Sequence, residues 1–444
     1  MPEPSSQDVQ TRTPKINIKR ALVEQERQLL AEHHFAVGGG SRLWMFKEGR
    51  YSPDAIKFLQ KWVRLKWTGG LLDENWDPSF PHRIAQSISA LSPSLWERPP
   101  YTQLNVLNGL LHSTSEDKWV FRPHDPGWLS PIQLPVHYDP AATCPHWEEL
   151  QDELFPDASE TGITDPLFKI VAWLMGPEGH GSQVAVLLLG EYGGEGKSTV
   201  INAIQAFLGD DNFLTSNLVS LQHNRFTTAY IQNKLAIICP DMPTSVMRET
   251  EVFKKVVTCD FIQAEYKGGE QFMFRPWAKV LCAGNRIPSS TEGGDAWKRR
   301  WFPISFHKKP KHRRTPAEMA SRLHSPSELS GVFNRALAYY LPIQRTGIPL
   351  TPQAMLEAQE ALDQRDPLQN WILSHCAFTV GAACFKAEVY RAYLLWCEQR
   401  GQSPLSDRAF GYQITKLFPK AKTDKGPRQE DGSRPLLWVN LSFR

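Results

Sequence analysis

The sequence predicts an α/β protein. A sheet of buried parallel strands is preceded by an α+β region and followed by a module with winged-helix-like order. Three observations predict it. The runs VAVLLLG, KLAIICP and AKVLCAGN are short, continuously apolar and end in turns, the pattern of strands covered on both faces. A glycine-rich loop leads from the first run straight into an amphipathic stretch. The tail from residue 366 reads as helices over 366–375, 385–400 and 407–418, then two strands around a polar turn.

The elements follow in order. Residues 1–19 are rich in Pro, Ser, Thr and Gln and predict a flexible tail. Leu22, Leu29 and Leu30 share one side of a helix over 18–34. SRLWMFKEGRYS predicts a hairpin, with a strand over 43–46 and a turn at Glu48-Gly49, and a second helix follows over 55–67. Pro and Gly multiply through 92–145, which predicts strands and loops; together these make an N-terminal domain over 20–160. The core spans 161–306, with helices over 199–208 and 249–257 and a last strand at FPISF. A basic linker, HKKPKHRRTP, opens a segment over 307–345 that continues into helices near 317–341. The C-terminal module occupies 346–444.

Composition narrows the function. The 444 residues hold 50 Lys+Arg against 47 Asp+Glu, a net charge of +3, so nucleic-acid binding would use local patches rather than a basic coat. A 41% hydrophobic share with 15 Trp and 22 Phe supplies large cores and argues against disorder. Trp62, Trp67, Trp173 and Trp396 have the helical apolar spacing of core residues. No apolar run approaches the roughly 18 residues of a membrane span, and MPEPSSQDVQ does not read as a secretory signal. The seven cysteines form no CxxC, which predicts reduced thiols in a cytoplasmic protein. Cys144 and His146 lack a second ligand pair for zinc.

The chemistry concentrates in the loop Gly190-Glu191-Tyr192-Gly193-Gly194-Glu195-Gly196-Lys197-Ser198-Thr199. Glycines let successive N–H groups point at phosphate oxygens, and the following helix N-terminus adds positive partial charge. Lys197 would reach the β/γ-phosphates of ATP and the Ser198 hydroxyl would bind Mg²⁺. The loop is one residue longer than GxxxxGK[ST], because Gly190 stands one position too early. Asp241 follows the next strand, 44 residues after Lys197, where a carboxylate would help hold Mg²⁺. Asn285 ends a third strand, where an amide would position the attacking water or sense the γ-phosphate. Arg299 and Arg300 precede the last strand; a guanidinium there would complete a neighbouring subunit's site.

These motifs resemble a superfamily 3 helicase, and more closely the helicase portion of phage and plasmid primase–helicases, a group with poxvirus relatives. The resemblance is carried by LNVLNGLL, LPVHYDPAATCPHWEEL, LLLGEYGGEGKSTVINAIQAFLGDDNF, LVSLQHNRFTTAYIQNKLAIICPDMP, FKKVVTCDFIQAEYKGGEQFMFRPWAKVLCAGNRIP and AWKRRWFPISF, and spans roughly residues 25–440. It implies a P-loop AAA+-like ATPase core working as a hexameric ring on a DNA strand, with 3′→5′ movement. Gly196, Lys197 and Ser198 match the family's phosphate loop, Asp241 its Mg²⁺ carboxylate and Asn285 its sensor. Arg300, in preference to Arg299, matches its arginine finger. Lys267, in the Tyr266-Lys267-Gly268-Gly269 turn, matches the hairpin that grips DNA in the ring channel. The chain departs from the family at Glu195, where Asn is usual, and at the lone Asp241, where two adjacent acids are common. Barely 25 residues precede the match, so no primase activity is expected in this chain. The acidic run Asp73-Glu74-Asn75-Trp76-Asp77 is expected to be a solvated turn rather than a primase metal site.

Further DNA contacts are expected in the basic block 298–314, at Lys308, Lys309, Lys311, Arg313 and Arg314, and in the tail at Lys420 and Lys422. The resemblance points to a phage, plasmid or integrated mobile element in a bacterial cell, with a primase or polymerase as a further partner. Two other readings remain open: a P-loop packaging motor or phosphotransferase, and a non-catalytic origin-binding or loading protein.

Overall fold

The computed structural model describes residues 17–349 and 367–443, apart from 69–72, 116–117, 157–162, 178–181, 191–192, 243–246, 248, 286–289, 291–296, 298, 307, 309, 311–313, 400–402 and 429–431. The chain divides into two compact units, Met1–Ala354 and Met355–Arg444. The expected tail falls almost wholly outside the described residues.

The first unit begins with the helix Ile18–Glu32, whose N-terminus is capped by the Asn17 side chain accepting from the Arg20 N–H at 3.1 Å. Strands β1 (Phe35–Gly38), β2 (Arg42–Lys47) and β3 (Arg50–Ser52) form an antiparallel sheet. The β2–β3 turn is the expected Glu48-Gly49, both with positive φ (53° and 84°), as a two-residue hairpin turn requires. The helices Ala55–Lys66 and Phe80–Leu91 close one apolar core around Leu29, Leu59, Val63 and Trp67. The acidic run between them is a bound turn: Asp73 pairs with Arg64 at 2.7 Å, and Asp77 accepts from the Ser79 N–H at 2.8 Å.

A second antiparallel sheet, β4 (Gln103–Val106), β5 (Gly109–Ser113) and β6 (Trp119–Arg122), follows. The centre of the unit is a five-stranded sheet of β7 (Ala185–Gly190), β8 (Phe213–Thr215), β9 (Ala236–Cys239), β12 (Lys279–Gly284) and β13 (Trp301–Phe306). Its order is β13-β7-β12-β9-β8 and every pairing is parallel. Between β9 and β12 the chain inserts a hairpin of β10 (Ile262–Glu265) and β11 (Gln271–Phe274).

The apolar runs are continuous because both faces of this sheet are buried. Alternate side chains Val186, Leu188, Ile238 and Leu281 enter one core, and Leu187, Leu189, Ile237 and Val280 enter the other. Each such burial contributes about 1.5–3 kcal/mol. The first face is covered by the helices Pro166–Leu174, Lys197–Leu208 and Pro326–Thr346, and β4 and β5 share this core. The helix Pro145–Leu154 joins it and borrows a cap: Glu328, on Pro326–Thr346, accepts from the N–H groups of His146 and Trp147 at 3.3 and 3.4 Å. Gly331 lies against the Thr143–Cys144 backbone, where an added Cβ would stand within 2.6 Å of the Cys144 nitrogen. Trp67 and Trp173 are buried as expected, whereas Trp62 is only partly covered.

The second unit runs Pro367–His375 (helix), β14 (Cys376–Phe385), the helices Lys386–Gln399 and Asp407–Leu417, β15 (Lys422–Lys425) and β16 (Leu436–Phe443). Its antiparallel sheet is ordered β14-β16-β15. The three expected helices and two strands are present, and β14 is an addition. Its sequence hides it: CAFTVGAACF is small-residue rich, and its pairing with β16 shifts register between Phe378 and Ala383. Tyr393 stacks on Phe410 with ring centroids 4.4 Å apart, above Ile414 and Trp438. Trp396 packs partly buried against the same core.

Candidate functional site

Because all five strands run parallel, their carboxyl ends share one edge. The chain leaves β7 toward β8 but leaves β12 toward β13, in opposite directions across the sheet. Loops that diverge in this way open a crevice at the strand ends. The expected loop stands there: β7 ends at Gly190, and the helix Lys197–Leu208 starts at the lysine itself.

Gly194 and Gly196 adopt φ of 83° and 91°, which side-chain-bearing residues rarely hold. An added Cβ on Gly193 or Gly194 would meet open space. No side chain caps the helix at Gly196, so its first N–H groups face the loop. Lys197 Nζ lies 2.6 Å from Glu195 Oε2, with the lysine side chain 13% and the glutamate 3% exposed. An added Cβ on Gly190 would collide with that same carboxylate and with Lys197 Nζ. A carboxylate of the chain itself thus occupies the anion position on Lys197. The open glycines, uncapped helix start and buried cation fit a phosphate group. Ser198 and Thr199 lie in the first turn of the helix.

Asp241 lies two residues beyond Cys239 of β9, and Asn285 directly follows β12; both are exposed. Leu187, Cys282 and Cys239 are level in the sheet, so Asp241, two residues on, continues level with Leu189. With neighbouring strands about 4.8 Å apart, β9 stands roughly 10 Å from β7. Sequence reasoning missed β8, and with it a cleft of about 580 Å³ beside Asp241, lined also by Thr215, Ser216, Asn217, Thr227 and Tyr230. The three-residue strand FLT carries too little pattern to be read.

Arg299 and Arg300 lie at the opposite edge. The Arg300 carbonyl accepts from the Ala185 N–H at 2.7 Å, at the amino end of β7. Six residues of β13 separate Arg300 from the carboxyl edge, a rise of about 20 Å. Burial and Arg299 draw the Arg300 guanidinium pKa down, and Asp260 opposes them. The neighbouring Trp301 stacks on Phe253 at 5.0 Å and is core.

Lys267 is exposed at the tip of the β10–β11 hairpin, where Gly268 has φ 78°. Below the tip, Tyr266 stacks on Phe272 at 5.3 Å and its hydroxyl donates to Gln232 at 3.2 Å. Lys308 is exposed just beyond β13; Lys309, Lys311 and Arg313 lie outside the described residues. Arg314 does not present a free cation for DNA. Its guanidinium binds Glu149 at 2.6 Å and approaches Glu153 at 3.7 Å, holding the helix Pro145–Leu154. Lys420 is exposed between the helix Asp407–Leu417 and β15; Lys416 on that helix, Lys422 and Lys425 on β15 and Arg428 beyond it are exposed too.

Cys144 and His146 have structural roles. Burial, Glu148 and Glu328 push the Cys144 thiol up to about 12 against the pull of Arg335, while His146 Nδ1 meets Arg322 at 3.0 Å. All seven cysteines are free thiols. Among the described residues, no helix is long and apolar enough to cross a membrane.

Residues 188–300 match a family of unknown function (DUF5906), and residues 367–425 match the RFX DNA-binding domain. No curated protein matches the chain. Among solved structures, two A-form apo structures of the NrS-1 C-terminal region are similar at TM-scores of 0.48 and 0.47. Their identities are 13% and 12%, over 94% of this chain and 98% of theirs. A further apo structure of that region has a TM-score of 0.46 and 12% identity over 95% of this chain and 99% of its own.

Proposed function

We propose that this chain is an ATP-driven DNA motor of the superfamily 3 helicase kind, with an AAA+-like core. The observation that carries the reading is the common edge of the parallel sheet, where the glycine loop with Lys197, Asp241 and Asn285 stand at the ends of β7, β9 and β12. On this reading the loop N–H groups and Lys197 bind the phosphates of ATP. Ser198 and Asp241 hold Mg²⁺, which offsets charge on the phosphates, and Asn285 orients the attacking water. Arg300 stands about 20 Å from its own loop along β13, so it would act on a neighbouring subunit's nucleotide. That requirement supports a ring, which we take to be a hexamer.

Lys267 would hold the backbone of a DNA strand in the channel; phosphate contacts carry little sequence information and so suit translocation. The second unit would bind duplex DNA through the helix Asp407–Leu417 and the lysines at 420 and 422, in keeping with the match to the RFX DNA-binding domain. We place the chain in replication of a phage, plasmid or integrated element, in the cytoplasm of a bacterial cell, beside a separate primase or polymerase. A second reading, a non-catalytic DNA-binding loader, is favoured by the carboxylate already seated on Lys197. DNA-stimulated release of phosphate from ATP separates the two: the motor hydrolyses ATP and a Lys197→Ala variant does not. DNA binding without turnover, unchanged by that substitution, supports the loader.

A further inference from the structure

We infer that the Glu195 carboxylate is a built-in competitor for nucleotide, seated on Lys197 until a phosphate displaces it, and that it thereby sets affinity from inside the loop. The inference rests on the nucleotide-binding reading above. Three features of the loop carry it.

The first is occupancy. Glu195 Oε2 lies 2.6 Å from Lys197 Nζ, the distance of a charge-assisted contact, and the glutamate is 97% buried beneath the loop. Lys197 cannot hold this carboxylate and a phosphate oxygen along the same direction, and two anions forced together repel. The second is space. The carboxylate fills the volume over Gly190, where any Cβ would strike it, so the absence of a side chain at 190 is what lets Glu195 reach the lysine. The third is freedom to leave. Gly194 and Gly196 flank Glu195, both with left-handed backbone, and Gly193 and Gly194 border open space. Backbone on either side of the glutamate can therefore rotate at little steric cost. Glu195 is thus a positioning residue: in the free protein it orients Lys197 toward the anion position and keeps its charge compensated. Binding a phosphate means exchanging one anion for another.

The test is calorimetric titration of the full chain with ADP and, separately, with inorganic tripolyphosphate. Removing the charge in Glu195→Gln is expected to tighten both by about tenfold, equal to about 1.4 kcal/mol. Glu195→Ala is expected to tighten them in the same direction, and Lys197→Ala to abolish both. A merely structural role for Glu195 would weaken binding in both glutamate variants. Equal or weaker binding by Glu195→Gln and Glu195→Ala, with Lys197-dependent binding intact in the parent, overturns the competitor and leaves the nucleotide reading standing. No binding by the parent or by any variant overturns both.

Discussion

The ion pair in the loop makes a stability prediction that is independent of catalysis. In Lys197→Ala, the carboxylate of Glu195 loses a cation 2.6 Å away while remaining 97% buried. At an effective dielectric of about 20, charges at that separation attract by roughly 6 kcal/mol, and desolvation of the pair offsets much of this. Breaking such a pair from one side costs about 3–5 kcal/mol, because a buried charge loses its counterion. Glu195→Gln leaves a neutral amide that still accepts from Lys197, so its cost is about 1 kcal/mol. The double variant Lys197→Ala/Glu195→Gln has no charge left to strand. It is expected to recover at least about 1.5 kcal/mol relative to the sum of the singles. The assay is amide hydrogen exchange along the helix Lys197–Leu208 without nucleotide, which reads local opening free energies even where two units unfold separately. Additive effects across the four proteins would falsify the coupling and, with it, the view of Glu195 as counterion to the loop lysine.

Three further outcomes follow from the same geometry. Gly331→Ala brings a methyl group onto the Thr143–Cys144 backbone and is expected to destabilise the first unit by about 3 kcal/mol; a change under about 0.5 kcal/mol in denaturant unfolding contradicts the close approach. Arg300→Ala is expected to lower ATP hydrolysis by about 10³-fold or more while ADP affinity stays at the parent value; normal turnover removes the finger assignment. Lys267→Ala changes an exposed hairpin tip, so melting and basal ATPase should hold while unwinding is lost; unwinding at the parent rate removes the hairpin from the mechanism.

Much of this arrangement was legible in the sequence because burial on both faces leaves unbroken apolar runs. The runs ending at Gly190, Cys239 and Gly284 are strands of one parallel sheet, and the residues singled out after them stand along its carboxyl edge. The Glu48-Gly49 turn was equally legible, since few residue pairs suit two positive φ values. What escaped was short or interrupted. Strand β8 has three residues, and β14 is broken by a register shift among small residues. Tertiary partnerships escaped as well. Nothing in the basic block marks Arg314 as the partner of Glu149, more than 160 residues away. At Glu195 the departure from the expected Asn was visible, but its seat on Lys197 depends on a backbone path that two left-handed glycines allow.

The central claim, that ATP hydrolysis in this loop drives movement along DNA, is tested most directly by strand separation on a forked duplex, with the parent chain and Lys197→Ala compared well below their melting temperatures. The account predicts strand separation by the parent only when ATP and Mg²⁺ are present, and none by the variant. Separation by Lys197→Ala at the parent rate, or none by a parent chain that binds both ATP and the fork, would contradict it.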